Sequence, residues 1–134
     1  MMYIKKIFKC YEDYPEADVL VSDGEFELLC YALFYDNKEG DTNFTLSAMM
    51  DGDNSLFANA SVMTSEEKGY KVQKLDDGYF SYKLQGKLID IEKENGTVQI
   101  GSLIIHDVAP IPRDIKVGEF VEFKVMRIDL ETVK

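Results

Sequence analysis

The sequence predicts a mostly β fold: one small closed or partly open antiparallel barrel with a short helix or loop insertion. Three observations point there. Apolar and polar residues alternate with period two in several segments, as in "EFVEFKVMRI" (119–128), where Val121, Phe123 and Val125 alternate with Glu122 and Lys124. The dipeptides Asp23-Gly24, Asp77-Gly78 and Asn95-Gly96 separate such segments, and each accepts the positive φ values of a tight hairpin turn. In "YFSYKLQGKLIDIEKENGTVQIGSLIIH" (79–106) the alternation of Phe80, Tyr82 and Leu84 resumes after Gly86 one position out of step, at Ile89 and Ile91. A bulge at a strand glycine produces such a slip. A strand bent in this way turns the corner that a small barrel needs.

The elements follow in order. "YIKKIFKC" (3–10) reads as a strand. A two-residue turn at Asp23-Gly24 sets Val21 opposite Phe26, Val19 opposite Leu28 and Ala17 opposite Cys30, a wholly apolar face. The other face carries Asp18, Leu20, Ser22, Glu25, Glu27, Leu29 and Tyr31, polar near the turn and increasingly apolar away from it. "NFTLSAMM" (43–50) is the next strand. Residues 51–69 are the least strand-like; Thr64-Ser65-Glu66-Glu67 has capping-box spacing and Gly69 limits it to a turn of helix, so a loop with a short helix is expected. "YKVQKL" (70–75) precedes the bent strand. A turn at Asn95-Gly96 places Ile89 opposite Ser102 and Ile91 opposite Ile100, with Val98 and Ile104 on that face and Leu88, Leu103 and Ile105 on the other. About eight strands result.

A chain of 134 residues, 46% apolar and 12% aromatic, is long enough to bury its own core, so 1–134 is read as a single domain. No apolar run approaches the ~20 residues of a membrane span, and "MMYIKKIFKCYEDYP" lacks the apolar stretch of a signal peptide, which places the protein in the cytoplasm. Cys10 and Cys30 are accordingly read as reduced core residues. With 25 acidic against 15 basic residues the formal net charge is −10. Nucleic acids and anionic membranes meet repulsion in place of counterion release.

Motifs that carry chemistry are few. There is no glycine-rich phosphate loop, Cys-x-x-Cys pair, His-Glu-x-x-His or serine elbow. His106-Asp107 with Cys30 as nucleophile would need a proximity that nothing in the sequence supports. Asp51-Gly52-Asp53-Asn54 and the acidic stretch from Asp36 to Asp41 cluster oxygen ligands, but Leu56 and Val62 occupy the places where a calcium loop of EF-hand type needs glycine and glutamate. No cofactor and no metal are expected. Asp18, Glu25 and Glu27 share an outward face, the only hint of carboxylate chemistry, and solvated faces carry such sets routinely.

"IKVGEFVEFKVMRIDL", with Gly118 ahead of an alternating strand, resembles the glycine-led strand of OB-fold domains of the S1 kind, and "GKLIDIEKENGTVQIG" resembles their opening hairpin. The opening "IKKIFKCYEDYPEADVLVSDGEFELLCYA" resembles such a hairpin too. The resemblance covers about half the chain and implies a five-stranded barrel with oligonucleotide or oligosaccharide binding on one face. The chain departs from it in having extra strands and no run of aromatics interleaved with basic residues. The reading that follows is a non-enzymatic interaction module that binds a protein partner or forms a homodimer. Its candidate interface is the set of apolar residues on outward faces: Leu20, Leu29, Tyr31, Leu88, Leu103 and Ile105. A small-ligand or saccharide binder using the barrel mouth is the alternative, and a hydrolase built on surface carboxylates a more distant one. The charge balance predicts no appreciable affinity for single-stranded DNA or RNA; micromolar binding by fluorescence anisotropy at physiological salt would overturn this.

Overall fold

The computed structural model describes residues 1–9, 15–33, 37–50 and 62–133. These form ten strands: β1 (Tyr3–Lys9), β2 (Glu16–Ser22), β3 (Glu27–Leu33), β4 (Phe44–Met50), β5 (Met63–Thr64), β6 (Lys71–Lys74), β7 (Tyr82–Glu92), β8 (Asn95–Ile100), β9 (Leu103–Val108) and β10 (Phe120–Thr132). All belong to one mixed sheet, and five of them close a circuit of pairings. β7, β8 and β9 form an antiparallel meander; β10 pairs antiparallel with both β7 and β4; β4 completes the ring through a short parallel contact with β9, Leu46 beside Ile105 and Ser47 beside His106. The architecture is thus barrel-like, as expected, although two of its pairings are parallel.

Outside the ring, β1, β2 and β3 make an antiparallel ribbon that joins it where β3 runs parallel to β10, Tyr31 beside Asp129 and Ala32 beside Leu130. β3 continues the edge of β10 that β7 vacates, and the Tyr82 hydroxyl accepts the Leu29 N–H at 2.8 Å where the two strands meet. Ala17, Val19, Val21, Leu28, Cys30 and Ala32 of the ribbon share one core with Leu84, Leu88, Val98, Ile100, Leu103 and Ile105 of the ring. A ring of so few strands is filled by its own side chains.

The expected hairpins are present, but their turns lie elsewhere. Between β2 and β3 the loop has four residues, with Ser22 opposite Glu27, Val21 opposite Leu28 and Val19 opposite Cys30. The inward face is the one expected because the register moves by two, which preserves parity. The Asp23 carboxylate holds this loop by accepting the Glu25 and Phe26 N–H groups at 2.9 and 2.7 Å, and it also accepts the Ser102 N–H at 2.7 Å. Asp77-Gly78 sits within a longer loop, since Lys74 faces Tyr82.

The largest correction concerns Asn95-Gly96. Both residues are in β8, opposite Glu92 and Ile91, and the two-residue turn is Lys93-Glu94, with Lys93 at φ 59°. Gly101-Ser102 makes the next turn, with Gly101 at φ 61°. These registers reverse the expected faces of β9 and of the end of β7, while Val98 and Ile100 keep theirs. Leu88, Val98, Ile100, Leu103 and Ile105 point inward, all 0% exposed, while Ile89 lies outside at the bulge between Leu88 and Asp90.

Gly86 is not the bulge. β7 runs through it without interruption, and Tyr82, Leu84, Gly86 and Leu88 keep one inward face; the slip comes at Ile89, which is why Ile91 reads out of step. Gly86 serves close approach instead. A Cβ there would lie 2.3 Å from the Gln99 carbonyl oxygen and 2.7 Å from Ile100 Cγ1. Among the described residues no helix forms: residues 63–64 are β5 against β10, bends follow, and residues 51–61 lie outside the described residues. The Gln85 amide ties those bends to β7, donating to the carbonyls of Gly69 and Glu67 at 2.9 and 3.3 Å.

Two stability predictions follow from these contacts. Gly86→Val overpacks the β7–β8 crossing and should cost about 1–3 kcal/mol, read as a lowered urea midpoint; a parent-like midpoint would refute the close approach. Asp23 is partly desolvated, which raises its pKa, but the N–H donors of Phe26, Ser102 and Glu25 outweigh this and hold it below the usual carboxylate value. Its contribution is therefore fully present above about pH 4, the unfolded value, and is lost as the pH falls through the lower folded value. The urea midpoints of the parent and of Asp23→Ala should differ at neutral pH and converge on acidification. A difference independent of pH would show that the ionised carboxylate is not what anchors the loop.

Candidate functional site

Register determines which side chains share the outer face of β1, β2, β3, β10 and β4. Opposed residues in a ladder point the same way. Phe8 lies opposite Asp18, Lys6 opposite Leu20, Leu20 opposite Leu29, Asp18 opposite Tyr31 and Glu16 opposite Leu33. Across β10, Tyr31 neighbours Asp129, Arg127 faces Met49 and Asp129 faces Ser47. The candidate residues Leu20, Leu29 and Tyr31 therefore meet on one surface, half-buried in its middle. Leu88, Leu103 and Ile105 do not join them, because they lie inside the barrel and can touch no partner.

Tyr31 and Arg127 organise the centre. The Arg127 guanidinium carbon stands 4.4 Å from the Tyr31 ring centroid, and the same guanidinium holds the Asp129 carboxylate with both of its oxygens, at 2.6 and 3.2 Å. The Tyr31 hydroxyl donates to Glu16 at 2.8 Å. Phe80 meets Tyr31 edge-on at 6.2 Å, and Tyr79 lies 4.8 Å beyond Phe80. Desolvation, with Glu16 as acceptor, pushes the Tyr31 phenol above its ordinary pKa, while the hydrogen bonds to Asp129 keep Arg127 more firmly protonated than usual. Tyr31 is therefore neutral and Arg127 charged at neutral pH. An ion pair about one-third exposed adds only modestly to stability; its geometric effect is to hold a flat cation over an aromatic ring.

Around this centre lie exposed apolar side chains: Tyr79 at 57%, Leu33 at 47%, Met49 at 39% and Phe8 at 39%. Lys6 covers Phe8 with its ammonium 4.8 Å from the ring centroid. Tyrosine, phenylalanine, methionine and arginine are the residue types enriched where protein surfaces bind one another. The sequence reading found the leucines and Tyr31 but missed Arg127, Asp129, Tyr79, Phe80 and Leu33. One signal was available. In β10 the buried residues are Val121, Phe123 and Val125 and then Ile128 and Leu130, so Met126 and Arg127 are consecutive outward residues.

Other candidates are less built. A groove of about 440 Å³ lies beside Phe26, Tyr70, Val72 and Leu84, where Tyr70 contacts both Phe26 and Phe120; Lys83 and Glu122 along its rim are paired at 3.2 Å. This is where the alternative small ligand would sit. His106 has its Nδ1 3.3 Å from the Thr97 hydroxyl on the outer face of β8 and β9. Cys30 is fully buried, burial pushes its thiol pKa up, and its Sγ–H donates to the Leu28 carbonyl, so it makes a poor nucleophile. Asp41 closes a local turn by accepting the Lys38 N–H at 2.9 Å. Cys10, Asp36 and Asp51 to Asn54 lie outside the described residues. Among the described residues no group of three or more metal-ligating side chains is present, and no helix is long and apolar enough to cross a membrane.

No protein-family model, curated protein or solved structure matches the chain.

Proposed function

We propose that the protein is a non-enzymatic interaction module, an OB-like barrel that pairs with a second copy of itself through the outer face centred on Tyr31 and Arg127. Strand connectivity supports the OB-like part. Taken from β7, the ring runs as a three-strand meander, a fourth strand, β10, that returns to the first, and a fifth, β4, beside the third and fourth. That is a five-stranded Greek-key ring in which the closing strand precedes the others in sequence. The segments that resemble an OB opening hairpin and glycine-led strand are β7–β8 and β10, the first, second and fourth members of this ring. The N-terminal segment with the second such resemblance, β1 to β3, lies outside the ring and builds the face.

The observation that carries the reading is the composition of that face: an arginine on a tyrosine ring, flanked by Phe80, Tyr79, Leu33, Met49 and Phe8. A symmetric contact needs a patch complementary to itself. This one holds both charge signs, Arg127 and Lys6 with Glu16, Asp18, Asp129 and Glu131, around an apolar middle. Two chains of net charge −10 also repel, so association should strengthen as salt screens them.

Size exclusion with light scattering decides. The parent at high micromolar concentration and physiological salt should run at twice the single-chain mass of 15.3 kDa, and Leu33→Glu combined with Tyr79→Ser should run as a folded monomer, since both side chains are exposed in the single chain. A parent that stays monomeric as salt is raised would overturn the proposal, as would a dimer that these substitutions leave intact.

A further inference from the structure

A second groove, at the end of the barrel away from the N-terminal ribbon's loop, points to a small-molecule site. It encloses about 400 Å³ between the β7–β8 turn and the 109–118 connection, with Ile91, Ile111 and Ile115 among its apolar lining. That volume lies within the range of ligand pockets. Its walls are fixed by backbone hydrogen bonds: the Ile111 N–H donates to the Glu94 carbonyl at 2.9 Å, the Ile115 N–H to the Pro112 carbonyl at 3.1 Å and the Gly118 N–H to the Leu88 carbonyl at 2.8 Å. Gly96 makes room for the packing, since a Cβ there would lie 2.8 Å from Ile111 Cδ1.

Three cations surround this apolar floor, Lys93, Arg113 and Lys116, against one carboxylate, Glu94. The lining therefore has a local excess of two positive charges in a chain whose net charge is −10. Elsewhere Lys5, Lys71, Lys83, Lys124 and Arg127 are ion-paired, while among the described residues Lys6, Lys38, Lys68, Lys74 and Lys87 are not. Among the described residues none of the three groove cations is ion-paired, and Lys116 Nζ reaches only the Arg113 carbonyl, at 3.3 Å. The left-handed turn at Lys93 brings the first cation to the groove from β7–β8, while Arg113 and Lys116 come from the opposite wall.

We infer that this groove binds an aliphatic carboxylate: the apolar floor takes the hydrocarbon, and Arg113 with Lys93 and Lys116 takes the anionic head. Arginine suits that head because its planar fork matches a carboxylate with two parallel hydrogen bonds. The volume limits the guest to a short chain, supplied either as a free fatty acid or as the C-terminal aliphatic residue of a peptide. The inference does not depend on dimer formation, since Leu33, Tyr31 and Arg127 contribute nothing to the groove.

The test is an NMR titration of the full chain with sodium octanoate, with octan-1-ol, and with a short peptide ending in Ile-Leu as free acid and as amide. Octanoate or the free-acid peptide should shift the amides of Ile91, Ile111 and Ile115 saturably at low millimolar concentration or below. The uncharged partner of each should bind at least about tenfold more weakly, a difference of about 1.4 kcal/mol. Binding by octanoate assigns the site to free acids, and binding by the peptide alone assigns it to chain termini. Arg113→Gln with Lys116→Gln should weaken the anion at least about tenfold and leave the alcohol unchanged. Silent amides with both anions would overturn the inference. So would equal affinity for octanoate and octan-1-ol, or undiminished anion affinity in the double variant.

Discussion

The fold depends on β10 keeping different neighbours at its two ends. One run of 13 residues pairs with β7 through Phe120 to Val125 and with β4 through Arg127 to Thr132, and the change of partner coincides with a change of inward parity. Before it Val121, Phe123 and Val125 fill the ring; after it Ile128 and Leu130 do. A strand with strict alternation would have turned Ile128 and Leu130 to solvent, since a slip of one residue exchanges faces. Met126 and Arg127, both outward, absorb the slip. The same two residues therefore close the barrel and bring the guanidinium beside Tyr31.

Two glycines satisfy a related constraint. A ring of only five strands coils so sharply that strands cross with little space between them, and both Gly86 and Gly96 sit where a methyl group would enter a neighbour. Neither has a positive φ, so both are required for their small size and not for a turn. The Asp23 carboxylate works across the same geometry. By accepting N–H groups from its own loop and from Ser102, it fastens the ribbon's turn to the β8–β9 turn, and a short way along β3 the Tyr82 hydroxyl holds the ribbon to β7.

The strand content and barrel class were legible because alternation is a local signal: Val121, Phe123 and Val125 announce their face without reference to any partner. Register was not, because it depends on which residues make the turn. Asn95-Gly96 is the stronger turn dipeptide, yet the turn falls on Lys93-Glu94, with Gly96 in β8 where Ile111 and Leu88 pack closely against it. Tertiary contact outweighed local preference, and Leu88, Leu103 and Ile105 went from a supposed outer face to the core. Leu20, Leu29 and Tyr31 kept their face because the error at Asp23-Gly24 was an even number of residues. Arg127 escaped notice for another reason: Tyr31 meets it only through the parallel contact of β3 with β10, which links residues far apart in sequence.

Charge placement separates the two surfaces. At the centre of the outer face Arg127 is paired with Asp129 within reach of hydrogen bonds, so what that centre offers is chiefly aromatic and aliphatic area. In the groove Lys93, Arg113 and Lys116 are left without carboxylate partners although the chain holds ten more acidic than basic residues. Leaving cations unpaired costs little where water solvates them, so stability alone does not explain the arrangement; its effect appears when an anion arrives. On the proposed reading the surrounding negative field would repel polyanions, whose charge extends beyond the groove, more than a single carboxylate, because exposed charges act mainly within a screening length of about 8 Å at physiological salt. On that reading an acidic protein would admit a small anion while disfavouring nucleic acid.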